Sequence, residues 1–110
     1  MYLIDWTIHV HTGTERFAGT DCTIFIRMFN SISGYTGEYS LTHDNWLHAK
    51  ELFPYKNLFE SGGHDRFRIS TDPFGFIEKI YVRNMLNRCA SFFTHMVIKI
   101  RQCFRLEQKK

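Results

Sequence analysis

Hydrophobic and polar side chains alternate along several short stretches of this 110-residue chain. The clearest alternation lies between positions 22 and 29, where Ile24, Ile26 and Met28 recur with a period of two, while Thr23 and Arg27 point to the opposite face. Successive side chains of a strand point to opposite faces, so this pattern predicts a half-buried β-strand. A tight polar turn, residues 17–21, leads directly into that strand.

The same alternation predicts strands in five other places. Their ranges are 6–11, 38–41, 65–69, 77–82 and 93–100. Many short strands separated by turn residues are typical of an all-β antiparallel sandwich. One core is expected from the inward-facing positions, which are Ile8, Val10, Ile24, Ile26, Phe67, Ile80 and Val82.

Two ranges do not fit the simple alternation. Between positions 42 and 56, Trp46 and Phe53 fall at helical spacing, Asp44 can cap a helix start and Pro54 would end it, which predicts a short helical excursion near 44–53. Its apolar side chains either pack on the sandwich, which is the default, or project as a membrane anchor. Residues 85–97 also allow a helical stripe, but the β-branched residues near position 98 favour a strand.

Length and composition indicate a single domain over residues 1–110, because no linker, repeat or low-complexity tract interrupts the chain. The three cysteines are an odd number without C-x-x-C spacing, which argues against a disulfide framework and mildly favours a reducing compartment. Charge is uneven: residues 1–78 hold six Lys or Arg against ten Asp or Glu, whereas residues 79–110 hold eight against one. A basic C-terminal third suits an anionic partner or a solvated face.

Two groups of residues have ligand chemistry. Gly19 and Asp21, in the turn before the clearest strand, offer the carbonyl and carboxylate oxygens that calcium prefers, although Asp21 could simply cap the turn. His9 and His11 share one face of the first predicted strand at a spacing that suits a transition metal. Since no third ligand is near them in the sequence, we interpret them as exposed strand histidines.

Five short motifs follow one another along the first three quarters of the chain. They are Trp6-x-Ile8-x-Val10-x-Thr12-Gly13, Ala18-Gly19-Thr20-Asp21-Cys22-x-Ile24-x-Ile26, Thr36-Gly37-Glu38, Phe59-Glu60-x-Gly62-x-x-Asp65-x-Phe67 and Gly75-x-Ile77-x-Lys79-Ile80-x-Val82. Any one of these motifs would be weak evidence, but in this order they resemble the PLAT, or lipoxygenase-homology, domain. The resemblance covers about residues 2–82, and residues 83–110 depart from the family pattern.

The resemblance implies an eight-stranded sandwich that acts as a binding module, docking a parent protein to membranes or partners, in several members with calcium. The implied calcium ligands are a carbonyl near Gly19, together with Asp21, Asn57 and Glu60. Leu58 and Asn84 replace residues that are acidic in relatives, so we expect a weak site if calcium binds at all. The expected membrane contacts are Phe17, Trp46, Leu47 and Phe53, and the expected anionic-surface contacts are Arg83, Arg88, Arg101 and Arg105.

Other function classes have less support in the sequence. It contains no G-x-S-x-G, H-E-x-x-H or phosphate-cradling glycine loop, so we expect no enzyme and no required cofactor. Nucleic-acid binding is not expected, because the aromatic residues are predicted to face the core rather than lie beside Lys and Arg on one exposed face. We expect a peripheral membrane module on the cytoplasmic side. A protein-interaction module without lipid or calcium is the alternative.

Overall fold

The computed structural model describes residues 2–47, 57–84 and 96–108, with side chains for residues 3–47, 57–84 and 96–102. The described residues form two antiparallel sheets, which confirms the all-β sandwich; they contain seven strands where eight were expected. The strands are β1 (Tyr2–Thr12), β2 (Ile24–Asn30), β3 (Gly34–Tyr35), β4 (Tyr39–Leu41), β5 (His64–Thr71), β6 (Lys79–Asn84) and β7 (Met96–Gln108).

The first sheet has the order β5-β1-β7, so the first strand of the chain lies at its centre. Ile8 of β1 pairs with Phe67 on one side and with Ile100 on the other, which makes a row of three apolar residues across the sheet. Because side chains alternate between the faces, this register sends the polar residues between them to the outside. The order of the strands along the chain did not indicate that β1 would lie between β5 and β7.

The second sheet is built around β2, the strand with the clearest alternation. β6 pairs with it along one edge, while β3 and β4 pair with its two ends along the other. Burial alternates strictly along β2, with Ile24, Ile26 and Met28 inside. The period-two prediction for this strand is confirmed.

Side chains from both sheets fill one core. Phe67 stacks on Phe59 with ring centroids 5.7 Å apart, and Trp6 meets the edge of Phe74 at 6.3 Å. The indole Nε1 of Trp6 donates to the hydroxyl of Thr71 at 2.9 Å, which satisfies its polar atom inside the core. Five of the seven predicted core residues are fully buried, and the other two, Ile80 and Val82, are half-buried against them.

The predicted helix at 44–53 is wrong over the residues that the structure describes. A single 3-10 turn, His43–Asn45, is capped by Thr42 rather than by Asp44. The chain then becomes extended: Trp46 bridges to Phe67, and the Leu47 N–H donates to the carbonyl oxygen of Arg66 at 2.7 Å. These hydrogen bonds satisfy the open edge of β5, an interaction that helical spacing cannot reveal. Phe53 and the rest of the range lie outside the described residues.

The first and last strands are longer than the alternation predicted. β1 begins at Tyr2 rather than Trp6, and β7 runs to Gln108, with an irregularity beside Ile4 and Asp5. Backbone pairing between two long neighbouring strands continues after the apolar alternation has ended, so hydrophobic periodicity underestimates their length. Met96, Ile98 and Ile100 are half-buried against the core, as expected for the strand interpretation of this range.

Candidate functional site

Two loops meet at one end of the sandwich, and we call this region the loop end (residues 13–21 and 57–63). The Thr20 N–H donates to the Phe59 carbonyl at 3.0 Å, and the Gly62 N–H donates to the Gly13 carbonyl at 2.8 Å. The Thr12 N–H, at the end of β1, donates to Gly63 at 2.9 Å. Backbone hydrogen bonds therefore hold the two loops against each other and against the first sheet.

Gly19 allows the two loops to approach. A Cβ added there would lie 2.7 Å from the Phe59 carbonyl oxygen and 3.1 Å from the Ser61 nitrogen, so a side chain does not fit. This approach brings all four residues predicted to bind calcium into the lining of one open cavity of about 310 Å³. The lining residues are Gly19, Thr20, Asp21, Asn57, Leu58, Phe59, Glu60 and Ser61.

The donor set of this cavity fits calcium in type but is low in charge. Asp21 and Glu60 supply two carboxylates, and Asn57 supplies an amide oxygen; all three are exposed. Among the described residues, no group of three His, Cys, Asp or Glu could hold a metal ion. Main-chain carbonyls and water would therefore have to complete the coordination, which favours weak binding.

The two replacements expected to weaken the site also have structural roles. Leu58 is half-buried and packs against the core, so an acidic residue would be unfavourable in that environment. Asn84, at the end of β6, is 2% exposed and pairs with Ile24. Neither residue adds charge to the loop end.

Phe17 is presented to solvent at the loop end. Its side chain is 75% exposed, although Ala18 beside it is fully buried, and the Ala18 N–H donates to the Glu15 carbonyl at 3.0 Å. The backbone of Phe17 has φ 64°, a left-handed conformation that is rare for a bulky residue. The guanidinium of Arg16 lies 4.9 Å from the ring centroid. The ring of Phe17 is therefore exposed at the loop end and does not pack inside the sandwich.

The other expected membrane contacts differ from Phe17. Trp46 is only 4% exposed and belongs to the core, so its assignment as a membrane anchor is wrong: its bridge to β5 turns the indole inward. Leu47 is half-buried, and Phe53 lies outside the described residues. Within the described ranges, no helix is long and apolar enough to cross a bilayer.

Of the four arginines expected to contact an anionic surface, the two whose side chains the structure describes do not share a surface. Arg101 lies on the outside of the first sheet, whereas Arg83 lies on the outside of the second sheet. Arg83 binds Glu38 through two hydrogen bonds, one of them from Nε at 2.7 Å, and this interaction lowers the pKa of the Glu38 carboxyl. Arg88 and the side chain of Arg105 lie outside the described residues.

A stronger concentration of positive charge covers the outside of the first sheet, and we call it the cationic face. Its three cross-strand rows are His64, His11 and Val97; Arg66, His9 and Lys99; and Arg68, Thr7 and Arg101. None of these nine side chains is acidic. The alternation of arginines with Phe67 and Ile69 was visible in the sequence, but the strand order that joins them to His9 and Lys99 was not.

The two strand histidines lie on the outer face of β1, as the sequence interpretation expected, and a third imidazole joins them there. His64, on the neighbouring strand, is the third imidazole that sequence proximity did not reveal: its Nε2 lies 3.4 Å from Nδ1 of His9, and its ring stacks on His11 at 3.8 Å. Burial lowers the pKa of His9, and the neighbouring charges of His64, Arg66, Arg101 and His11 lower it further. The arrangement suits binding of an anion better than binding of a cation.

The outside of the second sheet has a different chemistry, and we call it the aromatic face (Phe25, Arg27, Phe29, Tyr35, Lys79, Tyr81 and Arg83). The Arg27 guanidinium lies 4.5 Å from the ring centroid of Tyr35, and that of Arg83 lies 4.4 Å from the ring centroid of Phe25. Tyr35 also contacts Tyr81 at 5.5 Å. The expectation that aromatic residues do not lie beside Lys and Arg on one exposed face is therefore wrong here.

Comparison with known proteins agrees with this geometry. The chain is 32% identical over 77 residues to Lipoxygenase homology domain-containing protein 1 of Homo sapiens and, equally, to that of Mus musculus. These matches cover 70% of this chain but only 3% of each relative. A crystal structure of a LOX variant superimposes with a TM-score of 0.64 at 20% identity, covering 99% of this chain and 16% of that chain. No protein-family model matches the chain.

Proposed function

Because this chain is a lipoxygenase-homology (PLAT) domain, we propose that it is a non-catalytic binding module that attaches its parent protein peripherally to an anionic membrane through the loop end. The chain spans about 3% of the length of the relatives it matches, so a parent protein many times larger is part of this proposal. The observation that carries the proposal is the exposed Phe17 at the tip of the loop end.

The backbone of Phe17 supports a role for its side chain. A left-handed conformation costs on the order of 1–3 kcal/mol and persists where the surroundings enforce it, often at binding sites. The buried Ala18 and its hydrogen bond to Glu15 fix the turn on one side of Phe17. A phenyl ring loses contact with water when it enters the boundary between headgroups and acyl chains, where interfacial segments bury Trp, Phe and Leu. The neighbouring Arg16 would meet anionic lipid at the same time.

Calcium assistance is the second part of the proposal. Asp21, Glu60 and Asn57 would hold the ion with main-chain oxygens of the loop end. A bound calcium ion would neutralise carboxylates that otherwise repel anionic lipid. Without the ion, the exposed carboxylates of Asp21 and Glu60, which belong to the same loop end as Phe17, would oppose its approach to a negatively charged surface.

Vesicle flotation tests the proposal. Wild-type protein should float with phosphatidylcholine vesicles that contain 30% phosphatidylserine, and Phe17→Ala should reduce the floated fraction at both low and high salt, because insertion of a phenyl ring is not screened. Ile32→Ala is the matched control: Ile32 is 82% exposed but lies in the turn after β2, at the opposite end of the sandwich. Absence of wild-type binding with and without calcium, or equal losses in both variants, would contradict the proposal.

Docking to a protein is the second candidate, and the aromatic face supports it. Tyrosine, phenylalanine and arginine are enriched at the centres of protein interfaces, and all three occur together on this face. The rings of Tyr35 and Tyr81 are exposed, so they offer a partner apolar surface that no other part of the described domain covers. Hydrogen exchange tests this candidate: β2 and β6 should be better protected in the full-length parent than in the isolated domain, without lipid. Equal protection in both would exclude this interface within the parent.

A further inference from the structure

We propose that the cationic face is a second membrane contact, which lies against anionic phospholipid headgroups and binds them more tightly as the pH falls. This inference rests on the proposed function, because it takes the same membrane as the ligand. It adds a surface of different chemistry, a sheet face instead of a loop tip, and a regulation by pH.

The charges of the face are close together and of one sign. Neighbouring strands lie about 4.8 Å apart and alternate residues about 7 Å apart, so the three rows occupy roughly 10 Å by 14 Å. Within that area lie four permanent cations and three imidazoles. The next carboxylate in the first sheet, Asp5, is 6% exposed and accepts a hydrogen bond from the Ser70 hydroxyl at 2.5 Å. The nine side chains of the face itself therefore include no carboxylate.

A shallow cavity of about 290 Å³ lies at the edge of this face. Its lining combines His9, His64 and Arg66 with Trp46 and Leu47. Imidazole and guanidinium N–H groups are donors that match the oxygen atoms of a phosphate. Leu47 adds an apolar wall beside these donors. This combination suits the phosphate of a lipid headgroup together with the glycerol that follows it.

The histidines make the charge of the face dependent on pH. Imidazole is the side chain that gains charge in the range between pH 8 and pH 5. His9 faces His64 and Arg66 on β5, Lys99 and Arg101 on β7, and His11 on its own strand. Protonation of His9 is unfavourable in the free protein, partly because these neighbouring groups repel the added positive charge. Anionic headgroups would offset that repulsion. Protonation and lipid binding therefore favour each other by linkage.

The position of the face favours a membrane over other anionic partners. His11 and His64 are cross-strand neighbours at the end of the first sheet, and the next residues, Thr12 and Gly63, are hydrogen-bonded into the loop end. The face thus continues directly into the region that presents Phe17. It contains no aromatic residue for stacking the bases of single-stranded nucleic acid among its nine side chains.

The test measures partition onto vesicles with 30% phosphatidylserine. Arg66→Gln/Arg68→Gln should weaken binding about 25-fold, since each basic residue near an anionic surface contributes about fivefold. The control, Arg27→Gln/Lys79→Gln, removes the same charge from the aromatic face and should leave binding within about twofold. Equal losses in the two pairs would mean that net charge alone acts, which would overturn the proposal. Thermal unfolding of each variant verifies that it is folded.

A second arm tests the pH dependence. Wild-type binding should strengthen between pH 7.4 and pH 6.0, and His9→Gln/His11→Gln/His64→Gln should remove that change while retaining binding at pH 7.4. A pH response that is unchanged in this variant would overturn the role of the histidines. Displacement of the protein from vesicles by 10 mM inorganic phosphate at constant ionic strength would show that the face binds free phosphate, which would overturn the proposal of a lipid surface. Tighter binding to polyglutamate than to vesicles would do the same.

The outcomes separate this inference from the proposed function. If wild-type protein does not bind vesicles at all, the proposed function fails and the inference fails with it. If wild-type protein binds and Phe17→Ala weakens it, while Arg66→Gln/Arg68→Gln has no effect, only the inference fails.

Discussion

The backbone of Gly19 lies against the carbonyl group of Phe59, so closely that a methyl group on Gly19 would be 2.7 Å from the oxygen. Next to this contact, the Thr20 N–H donates to the same oxygen at 3.0 Å. The contact between these two residues determines the geometry of the loop end. It brings Asp21 of one loop and Glu60 of the other into the lining of one cavity, in the same loop end that exposes Phe17.

Gly19→Ala should therefore separate the two loops. We expect the free energy of unfolding to fall by about 1–3 kcal/mol, the usual range for an overpacked position. Gly75→Ala is the control, because nothing lies within 4 Å of a Cβ there and its backbone is not left-handed. Urea denaturation of both variants measures the difference. Equal stability of Gly19→Ala and wild type would mean that the loops are not in contact as described.

Calcium should stabilise the domain if the loop end binds it. A ligand that binds only the folded state raises the melting temperature as its concentration exceeds the dissociation constant. With only two carboxylates in the cavity, we expect the rise to require millimolar calcium, and Asp21→Asn to abolish it. Asp44→Asn, in the 3-10 turn outside that cavity, should keep the rise. If millimolar calcium does not shift the melting temperature of the wild-type protein, the loop end does not bind calcium as proposed.

The stability of the domain should fall as the pH decreases below neutrality, partly through His9. Its pKa is lowered in the folded state, first by burial and then by neighbouring positive charges, so the unfolded chain binds the proton more readily. The contribution is fully present above the unfolded pKa, about 6.5, and is lost as the pH falls through the lower folded value. Unfolding free energies at pH 7.5 and 5.5 should differ less in His9→Gln than in wild type. An identical pH dependence in both would contradict this assignment.

The core prediction has a direct test at Phe67. This residue is fully buried, stacks on Phe59 and pairs with Ile8 of the central strand. Phe67→Ala should destabilise the domain by about 3–5 kcal/mol, through the lost transfer energy and the remaining cavity. Phe76→Ala makes the same chemical change at an exposed position and should cost far less. Similar losses in the two variants, measured by chemical denaturation, would be inconsistent with the register of β5.

The sequence predicted those strands in which the local hydrophobic pattern matches the side chains that are buried in the structure. The period of two in β2 identified its buried face, and Phe67 and Ile69 identified the buried face of β5. The sequence did not predict the features that depend on which strands are neighbours. His64 lies 53 positions after His11 in the chain, yet antiparallel pairing stacks their rings.

Competition between local and non-local interactions explains the other differences. Trp46 has helical spacing to later apolar residues, but the open edge of β5 offers it a backbone partner, and the extended conformation results. For the loop end, the family resemblance indicated four of the eight residues that line the cavity. The exposure of Phe17 could not be decided from the sequence, because phenylalanine is usually buried whereas a connecting turn usually lies on the surface.

In the proposed binding mode, the loop end and the cationic face are both directed towards the membrane. Paramagnetic relaxation of backbone amides tests it most directly, with nanodiscs that contain phosphatidylserine and a small fraction of gadolinium-labelled headgroups. We predict the largest relaxation rates at Phe17, Gly62 and His64, and the smallest at Ile32, in the turn at the opposite end. Relaxation that is strongest at Ile32 or on the aromatic face, or the absence of any relaxation above that of neutral nanodiscs, would contradict the account.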